Sequence, residues 1–271
     1  MGKLEIKIKI MSEVTTILAG GLGNFMFQVA TAYAYGKKYN KSVAFNCQEA
    51  RGPHKHVTEY NDNIFKNVNL YHTAKEERRQ LQESGFHYSE LKDFPNSSVL
   101  LTGYFQSEKY FKYCEDEIKT LFTSYDVEIK EDLKVILDTK HTCSIHVRRG
   151  DYLNSPNHHP TQNMNYYMKA IKQMSKDAVF LIFSDDIAWC KENFPDLPEK
   201  FIFIEGNKDY EDLFLMSHCK DNIICNSTFS WWAAWLNNNP DKKIIAPTTW
   251  FGPAYAHYNT EDLYCENWIK I

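Results

Sequence analysis

Thr142-Cys143-Ser144-Ile145-His146-Val147-Arg148-Arg149-Gly150-Asp151-Tyr152 is the stretch on which the fold turns. Its first six residues fit a strand, and the charged turn that follows ends it. Downstream, short strand-like runs recur at residues 179–183, 201–204, 222–225 and 243–246. Helical patterns fall between them, near residues 164–175, 186–193, 209–217 and 228–237. Strands and helices alternating at this spacing predict a parallel, doubly wound α/β sheet. In such sheets ligands sit beyond the carboxyl ends of the strands, and each motif considered below lies at such an end.

Upstream the rhythm is looser. An apolar run at residues 14–19 leads into Gly20-Gly21-Leu22-Gly23-Asn24, and Phe27, Ala30, Tyr33 and Ala34 then recur at helical spacing. A second strand is expected at residues 42–45 and a third at 99–102. Residues 47–95 read as polar and irregular, and residues 115–138 as helical. The opening Lys3-Leu4-Glu5-Ile6-Lys7-Ile8-Lys9-Ile10 alternates charge and hydrophobe, as a strand or a leader extension would, and lacks the apolar stretch of a signal peptide.

The chain has 271 residues, a length that allows one large domain or two small ones. Hydrophobic residues make up 43% and charged residues 24%, which excludes a disordered chain. With 31 basic and 35 acidic residues the net charge is −4, against the basic balance of a general nucleic-acid binder. No apolar run approaches the ~18 residues of a membrane-spanning helix. Seven scattered cysteines without a Cys-x-x-Cys pair read as reduced, buried thiols, which points to a cytoplasmic protein. Aromatic residues reach 15%, more than a core of this size requires, so part of them is available to line a sugar or base site.

Four motifs can carry chemistry. In the first, the glycines at 20, 21 and 23 let the backbone approach a ligand at a helix N-terminus, or simply make a tight turn. Met26 stands where a dinucleotide fingerprint needs its third glycine. In the second, Arg148 and Arg149 are adjacent cations that call for an anionic partner. A pyrophosphate suits guanidinium forks, and a carboxylate such as Asp151 is the structural alternative. In the third, Asn226-Ser227-Thr228-Phe229 ends a strand and opens an aromatic helix. Ser227 or Thr228 can cap it, and its free amides and hydroxyls make an anion site. Trp231 and Trp235, one turn apart, read as core. In the fourth, Asp185 and Asp186 suit base recognition or helix capping better than a metal, because no third acid is nearby. The pairs His158-His159 and His54-x-His56 lack partners at zinc spacing and read as exposed loop histidines.

Taken together and in this order, the motifs resemble glycosyltransferase family 11, the bacterial α-1,2-fucosyltransferases. The similarity is carried by Gly20-Gly21-Leu22-Gly23-Asn24-Phe25-Met26-Phe27-Gln28, with Phe25 where the family usually has Gln. Gly103-Tyr104-Phe105-Gln106-Ser107-Glu108-Lys109-Tyr110-Phe111, His146–Tyr152 and Asn226–Ala233 complete it. The resemblance implies a GT-B-like fold of two Rossmann-like lobes with a cleft between them. It divides the chain into an acceptor-side lobe at residues 1–140 and a GDP-fucose-binding lobe at 141–271. It implies inverting transfer of L-fucose from GDP-β-L-fucose to the 2-hydroxyl of a galactose in a glycan acceptor, with no metal or other cofactor. The chain resembles the family's soluble members, so a cytoplasmic location is expected, compatible with peripheral association at the inner membrane.

Roles follow from that expectation. Bond breaking at the anomeric carbon builds negative charge on the departing diphosphate, so positive charge must be in place beforehand. Arg148 and Arg149 are the candidates, with Asp151 as third catalytic residue. Asp151 and His146 are the titratable groups nearest in sequence that could take the acceptor's proton. His146, Asp185, Asp186, Asn226, Ser227, Thr228 and Phe229 form the expected donor site, with Asp185 or Asp186 reading guanine. Gly21, Gly23, Asn24 and Gln28 would face the cleft from the other lobe. Aromatics near Phe25 and Tyr104 are the ones left for sugar binding. Two other classes compete: a non-catalytic carbohydrate-binding module, which would be all-β, and an NAD-type oxidoreductase, which Met26 disfavours.

Overall fold

The computed structural model describes residues 12–52, 56–71 and 78–271. The expected strand at residues 3–10, and His54, lie outside them. The first half runs β1 (Glu13–Thr16), α1 (Leu22–Tyr39), β2 (Ser42–Val43), β3 (Phe45–Asn46), β4 (Leu70–Tyr71), β5 (Arg78–Gln82), β6 (Ser98–Thr102), α2 (Glu115–Thr123) and α3 (Glu131–Thr139). The second half runs β7 (Thr142–Val147), α4 (Met164–Ile171), β8 (Val179–Ser184), α5 (Ile187–Asn193), β9 (Phe201–Phe203), α6 (Asp209–His218), β10 (Asp221–Ile223), α7 (Thr228–Leu236), β11 (Ile244–Ala246) and β12 (Ile269–Lys270).

Two parallel sheets result. One has the order β2-β1-β6-β5 and the other β12-β11-β10-β7-β8-β9; β3 and β4 form a small pair of their own. This is the expected GT-B-like α/β architecture, with a cavity between the two sheets' carboxyl ends. It excludes the all-β carbohydrate-binding module. From β7 the chain moves outward to β8 and β9, then returns to β10 on β7's other side. The crevice between β7 and β10 is therefore the switch point where doubly wound sheets bind ligands.

All six residues of β7 are buried, as befits a central parallel strand covered on both faces. β5 escaped the sequence pattern for the opposite reason. Arg78-Arg79-Gln80-Leu81-Gln82 is a mostly polar edge strand, bonded among the described residues to β6 alone, so no apolar alternation marks it. The helix expected over 115–138 is two helices. At the end of α2, Thr123 Oγ1 and Ser124 Oγ donate back to the carbonyls of Lys119 and Thr120, offering the backbone an exit from the helix.

α7 joins the halves. It is apolar on all sides, and such a helix must be buried. Trp231 and Trp232 have no exposed surface. Trp232 stacks on Phe111 and packs at 4.9 Å from Phe27 of α1, so one apolar cluster continues from the first half into the second. Phe25, expected near a sugar, belongs to this core: it is 1% exposed and meets Tyr60 edge-on. The aromatic excess thus goes mainly into the seam between the halves. All seven cysteines are free thiols, six of them buried.

Candidate active site

The cavity has a volume of about 840 Å³. Its floor is the switch point. Tyr152, on the turn after β7, donates its hydroxyl to the carbonyl of Asn226, on the turn after β10. His146 is 5% exposed, with Nδ1 3.2 Å from the Cys225 sulfur. Burial, with the charge of Arg148 adding to it, depresses its pKa to about 3, so the imidazole is neutral. Burial likewise raises the Cys225 thiol to about 12. These two groups shape the floor and exchange no protons near neutral pH.

Arg148 turns into the cavity. Its guanidinium donates to Asp151 Oδ1 at 2.7 Å, lies 3.1 Å from Asp185 Oδ2, and sits 5.7 Å from the centre of the Tyr152 ring. Asp185 Oδ1 accepts the Arg149 amide. Two carboxylates and a ring therefore fix one cation before any ligand arrives. Both Asp151 and Asp185 line the cavity, yet each is committed to holding Arg148 or its turn.

Arg149 behaves differently from its neighbour. Its side chain is absent from the cavity wall; Nε donates to Asp186 Oδ2, and the guanidinium covers Trp189 at 4.1 Å. Asp186 caps α5, its Oδ1 accepting the Trp189 amide. Neither Arg149 nor Asp186 lines the cavity. The expectation of a paired cationic site thus becomes one cavity arginine and one structural ion pair, because the turn after β8 supplies an acid to each.

Ser227 caps α7, and Thr228 and Phe229 present the first turn of that helix to the cavity. A helix N-terminus in such a place suits an anion, through its free amides and dipole. Asn226 borders the cavity, but its side chain is spent on structure. Nδ2 donates to the carbonyls of Pro160 and Trp250, and Oδ1 accepts from Gln162.

From the first half, Gly21, Gly23 and Asn24 line the cavity as expected. A Cβ on Gly23 would lie 2.5 Å from the Thr228 carbonyl carbon and 2.6 Å from the Phe229 nitrogen, so only glycine lets α1 start against the start of α7. Trp232 Nε1 donates to the Gly23 carbonyl across the same contact. Gln28 does not face the cavity. It is 1% exposed, accepts the Ala19 amide and donates to the Gly103 carbonyl, stitching the end of β1 to the end of β6.

That stitch shapes the loop bearing Tyr104 and Gln106, both of which line the cavity. The Glu83 carboxylate holds the loop from the other side, accepting the amides of Tyr104 at 2.7 Å and Phe105 at 3.0 Å. Phe105 has φ 54°, a left-handed conformation that the two anchors impose. Burial pushes the Glu83 carboxyl up to about 7, against the lowering effect of those two amides. Gln106 Nε2 donates to Asn24 Oδ1 and closes this wall.

Two groups of lining residues carried no signal in the sequence reading. Asn207, Asp209 and Asp212 follow β9 and make an acidic wall. Asp212 Oδ1 accepts from Asn207, and burial raises its carboxyl to about 6. Asp209 Oδ2 accepts the Tyr60 hydroxyl. The second group is aromatic: His159, Trp250 and Phe251. His159, expected to be an exposed loop histidine, is half-buried, its ring stacked on Tyr152. His158 is exposed. Each member is an ordinary residue in sequence, and only their convergence marks them.

Among the described residues, no group of three or more His, Cys, Asp or Glu side chains could hold a metal ion, and no helix is long and apolar enough to cross a membrane.

The sequence pattern of Glycosyl transferase family 11 matches residues 5–271. An alpha-1,2-colitosyltransferase from Escherichia coli is 31% identical, over 96% of this chain and 99% of that protein. The O-antigen biosynthesis glycosyltransferase WbnK from Escherichia coli is 30% identical, over 94% of this chain and 99% of that protein. A galactoside alpha-(1,2)-fucosyltransferase 2 from Oryctolagus cuniculus is 24% identical, over 93% of this chain and 75% of that protein.

Proposed function

The chain belongs to glycosyltransferase family 11, and from that premise we propose that it transfers L-fucose from GDP-β-L-fucose to the 2-hydroxyl of a galactose in a glycan acceptor, forming an α-1,2 linkage with inversion. The observation that carries the proposal is Arg148, held at the switch point by Asp151 and Asp185 on the same cavity as the N-terminus of α7. A diphosphate suits that place. It receives a guanidinium fork from Arg148 and the amide and hydroxyl of Thr228. Charge growing on the leaving diphosphate meets donors already in position, the arrangement that lowers barriers most. A fixed cation there supplies what a divalent metal supplies elsewhere.

The acid that accepts hydrogen bonds from guanine moves, in this proposal, from Asp185 or Asp186 to Asp212. The first two are bound to arginines, whereas Asp212 lines the cavity with one oxygen on Asn207. Residues 1–140 serve the acceptor side, with Tyr104 and Gln106 on the wall, and residues 141–271 bind the donor. The partners are thus a nucleotide sugar and a galactose-containing oligosaccharide. Colitosyl transfer is a second reading, favoured by the 31% identity to the Escherichia coli colitosyltransferase.

Product analysis tests both. The protein is offered GDP-fucose and GDP-colitose in turn with a panel of galactosides that includes lactose. An α-1,2-fucosylated galactoside is the expected product. Transfer from GDP-colitose alone selects the second reading, and transfer from neither, in protein that GDP does not stabilise against heat, rejects the proposal.

A further inference from the structure

Inverting transfer in one step calls for a group that takes the acceptor hydroxyl's proton. The titratable side chains of the cavity can be compared for that task. His146 is enclosed with Cys225. Asp151 and Asp185 hold Arg148, Asp209 accepts the Tyr60 hydroxyl and Asp212 accepts from Asn207. Glu59 accepts the His56 amide. His159 differs from all of these. Its imidazole nitrogens take part in no hydrogen bond among the described residues, while its ring is fixed by packing. It is stacked on Tyr152 at 5.0 Å and 24°, and meets Phe251 at 5.8 Å and Tyr255 at 6.0 Å. Tyr152 is also the ring beside which Arg148 sits, so one side chain sets both the leaving-group cation and the histidine.

We infer that His159 is the general base of the transfer, accepting the proton of the attacking acceptor hydroxyl. This rests on the proposed transferase activity. The acceptor oxygen bonds to the anomeric carbon. The bond from that carbon to the β-phosphate oxygen breaks, and its electron pair stays on the diphosphate beside Arg148. The hydroxyl proton passes to an imidazole nitrogen of His159. Burial lowers the basicity of the ring and His158 acts in the same direction, whereas Asp151 raises it; the net shift is downward, which keeps the imidazole neutral and able to accept at neutral pH. Asp151 and His158 are the charged or titratable neighbours that act on it, with the phenols of Tyr152 and Tyr255 packed against the ring.

The test uses the full chain with GDP-fucose and the galactoside it accepts. His159→Gln is expected to lower kcat by ~10²–10⁴, to abolish the fall of rate at acid pH, and to leave stabilisation by GDP unchanged. His159→Ala is expected to regain rate on addition of imidazole. A His159→Gln protein that keeps wild-type kcat and the same acid limb overturns the inference and leaves the base to water. If the variant is not stabilised by GDP, the alanine variant with imidazole decides: no rescue in GDP-binding protein overturns the role. A wild-type protein that binds GDP and transfers no sugar is a failure of the transferase proposal itself, visible before any variant is made.

Discussion

Arg149 Nε donates to Asp186 Oδ2 at 2.9 Å, which takes both side chains out of the cavity that Arg148 enters. The two adjacent arginines therefore have separable jobs. Arg148→Ala should lower kcat by ~10²–10³, the usual loss when one preorganised donor is removed. Arg149→Ala should show first as a lower Tm, since it releases the cap of α5 and the cover over Trp189. Steady-state kinetics beside thermal unfolding check this. Equal kinetic losses at unchanged Tm would place both guanidiniums on the ligand.

Gly23→Ala places a methyl against the backbone of Thr228 and Phe229, where no flexible side chain can yield. α1 and α7 must part, and the Trp232 bond to the Gly23 carbonyl lengthens. Overpacking of this kind costs about 1–3 kcal/mol. Denaturant unfolding should show the loss, with weaker stabilisation by GDP because the start of α7 moves too.

Two buried groups give the stability opposite pH slopes. Glu83 has its pKa raised from 4.5 to about 7, so between those values the native state holds a proton that the unfolded chain has lost, and stability falls as pH rises. His146 is lowered from 6.5 to about 3, so between those values the unfolded chain binds the extra proton, and stability rises with pH. Glu83→Gln should therefore gain on the wild type when thermal unfolding is compared at about pH 5 and about pH 8. His146→Gln should lose ground on the wild type as pH rises from about 4 to about 7. Each pKa unit is worth about 1.4 kcal/mol. Parallel pH curves for variant and wild type would contradict the assigned burial.

Because Arg148 and the α7 N-terminus provide the charge facing the proposed diphosphate, transfer should persist in a chelator. Activity is measured in EDTA and after adding back Mg²⁺ or Mn²⁺. Loss in EDTA with recovery on Mg²⁺ would mean that the cavity acids recruit a cation together with the nucleotide.

Much of the fold was legible because it is locally encoded. The bounds of β7 agree with the sequence pattern residue for residue, since a strand buried on both faces has no polar interruption. α7 was legible from Ser227 and the tryptophans behind it. β5 was not, because an exposed edge strand needs no apolar side chains. In the site, glycines, charges and caps mark the turns after β1, β7, β8 and β10, and all four border the cavity. Gln28 stands a few residues beyond glycines that line the cavity, so its place in sequence points it there. The structure turns it into the protein, where two backbone groups need its amide.

The sequence by itself determined the alternation of strand and helix, the strand ends at which a ligand can sit, and the kinship. Each of these depends on periodicity, turn chemistry or motif order within short stretches. Only the tertiary structure decided which side chains line the cavity. Arg148 and Arg149 are chemically identical neighbours, and they part because Asp185 and Asp186 approach from the turn after β8, each 37 residues beyond the arginine it binds. His159 and Asp212 are unremarkable where they stand in sequence. They enter the cavity because parallel crossovers bring the carboxyl ends of distant strands together, and burial there changes the basicity of whatever arrives.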